Sequence, residues 1–165
     1  MKLYVIRHGC TDCNDENKYN CRYDEDINEK GIRQATEASK QVRDLDIDLI
    51  ICSPMKRTKH TTELVNVNNI PVIYDDRIME RDGGKLTLAT IEPEYYLNEY
   101  YNYYSTKYID GLETLPELFK RVHSFLDELK EKYKDKKILL VTHNGIARAI
   151  QFYFEEMPVD GMLEK

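Results

Sequence analysis

Three stretches of the chain are near-continuous apolar runs: Lys2–Arg7 (KLYVIR), Asp48–Cys52 (DLIIC) and Lys137–Thr142 (KILLVT). They are too short for helices and show little alternation, the pattern of strands covered on both faces in a parallel sheet. Val72–Tyr74, opened by Pro71, is a shorter fourth candidate. Between the runs the apolar positions change period. Ile32, Ala35, Ala38, Val42 and Leu45 fall three and four apart, which predicts a helix from Asn28 to about Leu45. A second stripe, Leu115, Leu118, Val122, Phe125, Leu126, Leu129 and Tyr133, predicts another, with Thr114 and Glu117 as a capping box at its start. Ser53-Pro54 is expected to cap a third helix, and residues 145–156 read as the last one. Strands alternating with helices predict an α/β fold: a three-layer sandwich with a mostly parallel central sheet, helices on both faces and right-handed crossovers.

The length, 165 residues, suits one domain spanning 1–165, with no internal repeat and no linker. Lys and Arg total 24 against 30 Asp and Glu, a net charge of −6, which makes a nucleic-acid partner a poor expectation because phosphate neutralisation needs a basic surplus or patch. No apolar run approaches the ~18–20 residues of a membrane span. The apolar N-terminus stops at Arg7, short of a signal-peptide core, so a cytoplasmic location is expected. Cys10, Cys13 and Cys21 cluster, with Cys52 apart. Only Cys10 and Cys13 have knuckle spacing and no second pair follows, so reduced thiols are expected rather than a zinc site.

Residues 82–112 stand apart from the alternation. They open with Asp82-Gly83-Gly84 and carry seven tyrosines between 95 and 108. Two readings stay open: a segment whose tyrosines pack on the body, or a lid that shapes a substrate pocket.

Ligands of open α/β sheets bind beyond the carboxyl ends of the strands. The first strand ends in Arg7-His8-Gly9 and the last in Thr142-His143-Asn144-Gly145, so two of the four histidines occupy equivalent rim positions. Arg57 falls in the first turns after the Cys52 strand, on the same rim. Two guanidiniums offer forked donors for phosphoryl oxygens, and a neutral imidazole between them can attack phosphorus. His60 and His123 lack such placement and are expected at the surface.

With those residues in place, the chain resembles the histidine phosphatase superfamily, the phosphoglycerate mutase-like fold, in its small phosphatase branch. The resemblance runs through Arg7-His8-Gly9 with Thr11 and Asn14, Lys18 to Arg22 with Asp24, and Ser53-Pro54 with Arg57 and Thr61 to Glu63. It continues through Ile78 to Arg81, Gly111 to Thr114 with Arg121, and Val141 to Gly145 with Arg148. It implies that His8 is the nucleophile that becomes phosphohistidine. It implies that Arg7, Arg57 and His143 hold the phosphoryl group, and that Glu80 is the proton donor and then the base. Asn14, Arg22 and Asn144 would bind substrate, with no metal and no cofactor. Glu63, the rival acid, would brace its helix instead.

The chain also departs from the family pattern. Cys21 stands where a Gly is common, Cys10 where a polar residue is common, Asn144 where a Gly is frequent, and Leu88-Ala89 where Glu-Gly is frequent. Relatives usually add a strand after the last helix, so two outcomes stay open: a sheet that lacks an edge strand, or an exposed edge that pairs with another subunit in a homodimer. The leading function is a metal-independent phosphatase acting on a small phosphorylated metabolite. The alternatives are a mutase, which Arg81 beside Glu80 keeps open, and a non-catalytic phospho-ligand-binding member.

Overall fold

Alternate residues of one strand divide the core. In β4 (Lys137–Thr142), Ile138 and Leu140 face one hydrophobic cluster while Leu139 and Val141 face another, and all four are fully buried. That is what a central parallel strand requires, since successive side chains point to opposite faces. The computed structural model describes residues 1–95 and 99–163. Its sheet has the order β1-β4-β2-β3, all parallel, with β1 at Lys2–Arg7, β2 at Leu49–Cys52 and β3 at Val72–Tyr74.

Helices α2 (Glu29–Val42) and α3 (Lys56–Val65) cover one face through Ala35, Val42 and Val65. Helices α5 (Leu115–Lys132) and α6 (Asn144–Phe154) cover the other through Leu118, Val122, Phe125, Ile146 and Ala149. Two single turns, α1 (Asp12–Asp15) and α4 (Pro93–Tyr95), lie in the connections. The result is the expected sandwich. No helix among the described residues is long and apolar enough to cross a membrane.

Several local expectations need correction. β1 is an edge strand with both faces only partly covered, and Val5 is exposed, so its apolar run does not mark burial. In α2 the buried first-turn residue is Gly31, not Ile32, because the loop after β1 lies against it: a Cβ on Gly31 would sit 2.3 Å from the Cys10 carbonyl oxygen. Helix α2 also stops at Val42, and α6 begins at Asn144 and ends at Phe154. The capping box of Thr114 and Glu117 is formed. Ser53 caps nothing. Met55 takes the N-cap position of α3 without a side-chain bond, and the Asp24 carboxylate accepts from the Lys56 amide at 2.8 Å instead.

The tyrosine-rich segment is fastened at its far end by the chain terminus. Tyr103 N–H donates to the Gly161 carbonyl (2.8 Å) and Leu163 N–H to that of Tyr101 (3.0 Å), while the Leu163 side chain is buried in the core. Of the tyrosines singled out from sequence, Tyr96 lies outside the described residues.

Candidate active site

The carboxyl end of the sheet positions the first groups. The β1–β4 register pairs Arg7 with Thr142, and the His8 amide then donates to the Thr142 carbonyl at 3.0 Å. His8 and His143 therefore leave neighbouring strand ends together, and their ring centroids lie 5.2 Å apart. The turn after His8 needs Gly9, because a Cβ there would meet the Gly31 carbonyl oxygen at 2.5 Å.

His8 is held in one tautomer. Its Nδ1 lies 2.7 Å from the Gly9 carbonyl oxygen, which can only accept, so Nδ1 carries the proton. Nε2 is left with its lone pair, and the Arg57 Nε donates to it at 3.2 Å. Burial, then the Arg57 charge, push the His8 pKa down to about 3, and burial and the same guanidinium lower that of His143. Both imidazoles are neutral at ordinary pH.

That has a measurable consequence. Unfolded histidine titrates near 6.5, so between about pH 6.5 and about pH 3 the unfolded chain binds protons that folded His8 refuses. Stability contributed by neutral His8 is fully present above the unfolded value and is lost as pH falls through that window. Thermal midpoints at fixed ionic strength should drop steadily from pH 7 to pH 4.5, and a His8→Gln variant should show a shallower drop. Equal slopes would refute a buried neutral His8.

Arg57 is fully buried yet pairs with no carboxylate among the described residues. Its Nη1 donates to the Tyr23 carbonyl (2.9 Å) and its Nη2 to the Cys21 carbonyl (2.7 Å). Cys21 adopts φ 47°, a left-handed conformation that favours glycine. Room for its side chain comes from Gly83, where a Cβ would stand 2.3 Å from the Cys21 sulfur. The Cys21 thiol, pushed up to about 11 mainly by burial, sits 3.5 Å from the Tyr100 hydroxyl. Arg7 is exposed, and its guanidinium bonds to none of the described residues.

Glu80 is fixed at both ends. Its carbonyl accepts from Arg22 Nε (3.1 Å) and Arg121 Nη2 (3.3 Å), and Arg121 is itself clamped by Glu113 at 2.6 Å. Its carboxylate accepts from the Arg81 amide (2.9 Å) and the Gly145 amide (3.4 Å). Gly145 permits this approach, since a Cβ there would lie 2.5 Å from the Glu80 Oε1.

Arg7, His8, Arg57 and Glu80 line one cavity of about 80 Å³. His143 is buried beside His8, with Nδ1 unpartnered among the described residues and Nε2 2.8 Å from the Ser53 hydroxyl. Asn14 and Asn144 also line the cavity, Asn14 from the capping box of α1 and Asn144 with its amide donating to the Tyr101 hydroxyl at 3.3 Å. Arg22 does not line it. Beyond the Glu80 carbonyl, its guanidinium faces Asp82 (3.5 Å) and Glu113 (3.9 Å).

Sequence reasoning missed Ser53, Lys18 and Asn20. Ser53 follows β2 on the same rim as both histidines, which was the signal. Lys18 and Asn20 also line the cavity but follow no strand. Tyr100 and Tyr101 both line the cavity and belong to the core, so packing and pocket-shaping coincide there. Glu63 is exposed on α3, away from the cavity, and its side chain forms no hydrogen bond among the described residues that would brace the helix. His60 and His123 are half-buried rather than at the surface, bonded to Asp26 (3.0 Å) and to the Ala149 carbonyl (3.0 Å). No cluster among the described residues could hold a metal ion.

Comparison with known proteins places the chain in a family. A family model described as the histidine phosphatase superfamily, branch 1, matches residues 3–164. The chain is 33% identical over 147 residues to the uncharacterized phosphatase PhoE of Bacillus subtilis, covering 88% of this chain and 73% of that one. It is also 33% identical over 153 residues to a probable phosphoglycerate mutase, GpmB, of Salmonella choleraesuis, covering 89% and 71%. Among solved structures, a putative alpha-ribazole-5'-P phosphatase of Escherichia coli superposes with a TM-score of 0.81 at 25% identity, covering 96% of this chain and 81% of that one.

Proposed function

Because the chain belongs to branch 1 of the histidine phosphatase superfamily, we propose that it is a metal-independent phosphatase that hydrolyses a small phosphorylated metabolite through a phosphohistidine on His8. The observation that carries this is the locked tautomer: Nδ1 is committed to the Gly9 carbonyl, and the Nε2 lone pair is presented beside the Arg57 guanidinium.

In the first step the hydrogen bond from Arg57 Nε–H passes from His8 Nε2 to a phosphoryl oxygen, the freed lone pair of Nε2 attacks phosphorus in line, and the bond from phosphorus to the leaving oxygen breaks. The Glu80 carboxyl protonates that oxygen. In the second step the Glu80 carboxylate takes a proton from water, whose oxygen displaces His8 from phosphorus and releases phosphate. One hard hydrolysis becomes two easier transfers, with one carboxyl serving as acid and then as base. Arg7 and Arg57 supply the positive charge that the developing phosphoryl oxygens need. In the tautomer that serves this chemistry, the Ser53 hydroxyl donates to His143 Nε2 and the Nδ1 proton is a further donor to those oxygens.

Rapid acid or base quench during turnover of radiolabelled substrate tests the intermediate. Label retained on the protein after base and lost after acid, and absent from His8→Ala, is expected. Label on no residue at any quench time would remove the covalent route.

Glu80→Gln separates acid from base work. With an alkyl phosphate, whose leaving oxygen needs a proton, kcat should fall about 10²- to 10⁴-fold. With p-nitrophenyl phosphate, whose leaving group departs unaided, the fall should be smaller. Equal losses on both substrates would contradict the role of Glu80 as donor.

The mutase alternative loses the feature that kept it open. Arg81 is buried outside the cavity, bonding to the Glu113 and Tyr100 carbonyls. The free thiols support the cytoplasmic part of the reading. A homodimer belongs to it as well. Along the outer edge of β1, Leu3 and Val5 form an apolar groove with Ile150 and Phe154, a shape that a second copy could pair with strand to strand. A monomer in sedimentation at high concentration would count against that part alone.

A further inference from the structure

A second cavity, of about 220 Å³, shares no lining residue with the catalytic one, although the chain passes from one to the other at Glu80–Arg81 and again at Tyr101–Asn102. Its apolar walls are Tyr103, Ile109, Leu112, Leu115 and Pro116. Its buried charge is Arg81, which is only 4% exposed. Arg81 Nε donates to the Glu113 carbonyl (2.6 Å) and Nη1 to the Tyr100 carbonyl (2.5 Å), with the guanidinium 4.5 Å from the Tyr100 ring. Nη2 has no partner and the guanidinium pairs with no carboxylate among the described residues. Nη2 is not a sealed, unsatisfied atom but opens to the cavity, where an anion can complete the guanidinium's fork.

The cavity also chooses among anions. Helix α5 begins on its wall, so the positive end of that helix faces it. Glu99, Glu117 and Lys107 share the lining; the two carboxylates already accept a hydroxyl each, from Ser105 (2.9 Å) and Thr114 (2.7 Å). The carboxylates offset the charge of Arg81 and Lys107, which disfavours a phosphate dianion and suits a single negative charge. The apolar walls call for a compact hydrocarbon body behind it.

We propose that this cavity binds a small monocarboxylate with a compact apolar body, its carboxylate on Arg81 Nη2, and that the occupant acts as an effector of the catalytic site. The Arg81 amide holds Glu80 Oε1 and its Nη1 holds the Tyr100 carbonyl, so an occupant fixing the guanidinium steadies two walls of the catalytic cavity. Binding as such is independent of the phosphatase reading; only the effector role rests on it.

The test is calorimetric titration with benzoate, with benzamide as the uncharged counterpart, in the presence of saturating orthovanadate to occupy the Arg7–Arg57 cluster. One benzoate per chain should bind with vanadate present, at least tenfold more tightly than benzamide. Ser105→Trp, which fills the cavity, should weaken benzoate at least tenfold while keeping unliganded p-nitrophenyl phosphate turnover. Benzoate should lower KM for that substrate about fivefold in the wild type and not in Ser105→Trp, a coupling of ordinary allosteric size. No binding, binding abolished by vanadate, equal affinity for benzamide, or indifference to Ser105→Trp would each overturn the site. Binding without a change in KM would remove the effector role. Should the wild type not turn over p-nitrophenyl phosphate at all, the phosphatase reading fails while the titration still decides the cavity.

Discussion

Replacing His8 with alanine is expected to abolish p-nitrophenyl phosphate turnover, lowering kcat by at least about 10⁴-fold, the order seen when a covalent nucleophile is removed. Nothing nearby can substitute for it. His143 is its ring neighbour at 5.2 Å, but it is fully buried. Both wild type and variant should be assayed in excess EDTA. Wild-type turnover that resists EDTA and is blocked by vanadate, with none in the variant, is the expected pattern. A variant within tenfold of wild type would mean that water is attacked directly and that His8 only positions the phosphate. The variant should still fold, because alanine at a buried neutral imidazole removes a ring and no charge.

The second large effect belongs to Arg57, where activity and stability should fall together. Its three donor nitrogens reach His8 Nε2 and the carbonyls of Cys21 and Tyr23 at once. Arg57→Lys keeps the charge but cannot span three acceptors, and is expected to lose about 10³- to 10⁵-fold in kcat. Arg57→Met leaves both carbonyls without their donor, at about 1–3 kcal/mol for each if burial is kept. Its thermal midpoint should therefore fall below that of Arg57→Lys. Steady-state kinetics and thermal unfolding of the two variants side by side check both claims. A Lys variant as active as wild type would show that the fork geometry is irrelevant, and a Met variant as stable as wild type would show that the carbonyls find water.

Strand-end reasoning located part of this site, and its limits are physical. Arg7, His8 and His143 could be placed on one rim because strand ends in a parallel sheet converge whatever the loops do. Arg57 followed because a helix must leave the end of β2. Ser53 was misplaced because a hydroxyl before a helix reads equally well as a cap or as an imidazole partner, and only the proximity of His143 decides. Arg22 fell beside the cavity rather than in it because Asp82 and Glu113, distant in sequence, draw its guanidinium away. Ile32 belongs to the apolar stripe of α2 by spacing alone, yet it is exposed. The backbone of the His8–Cys10 turn takes that place, and a turn of backbone carries no hydropathy signal. The apolar run of β1 looked like that of a central strand because composition does not record which strand lies at the edge.

The strand order has a further consequence, for how the chain reaches this structure. Among the described residues β1 has a single neighbour in the sheet, β4, which begins at Lys137. During synthesis the first strand therefore waits for residues 137–142 before it can pair, and the rim carrying Arg7, His8 and His143 closes after the β2–β3 pair. Contacts of such sequence separation slow folding and leave the early apolar segment exposed meanwhile. β2 and β3, joined through α3 within residues 49–74, can form first and template β4 when it emerges. Refolding followed by hydrogen exchange should protect Ile50 and Ile51 before Tyr4 and Val5, with catalytic competence returning on the slower of the two timescales.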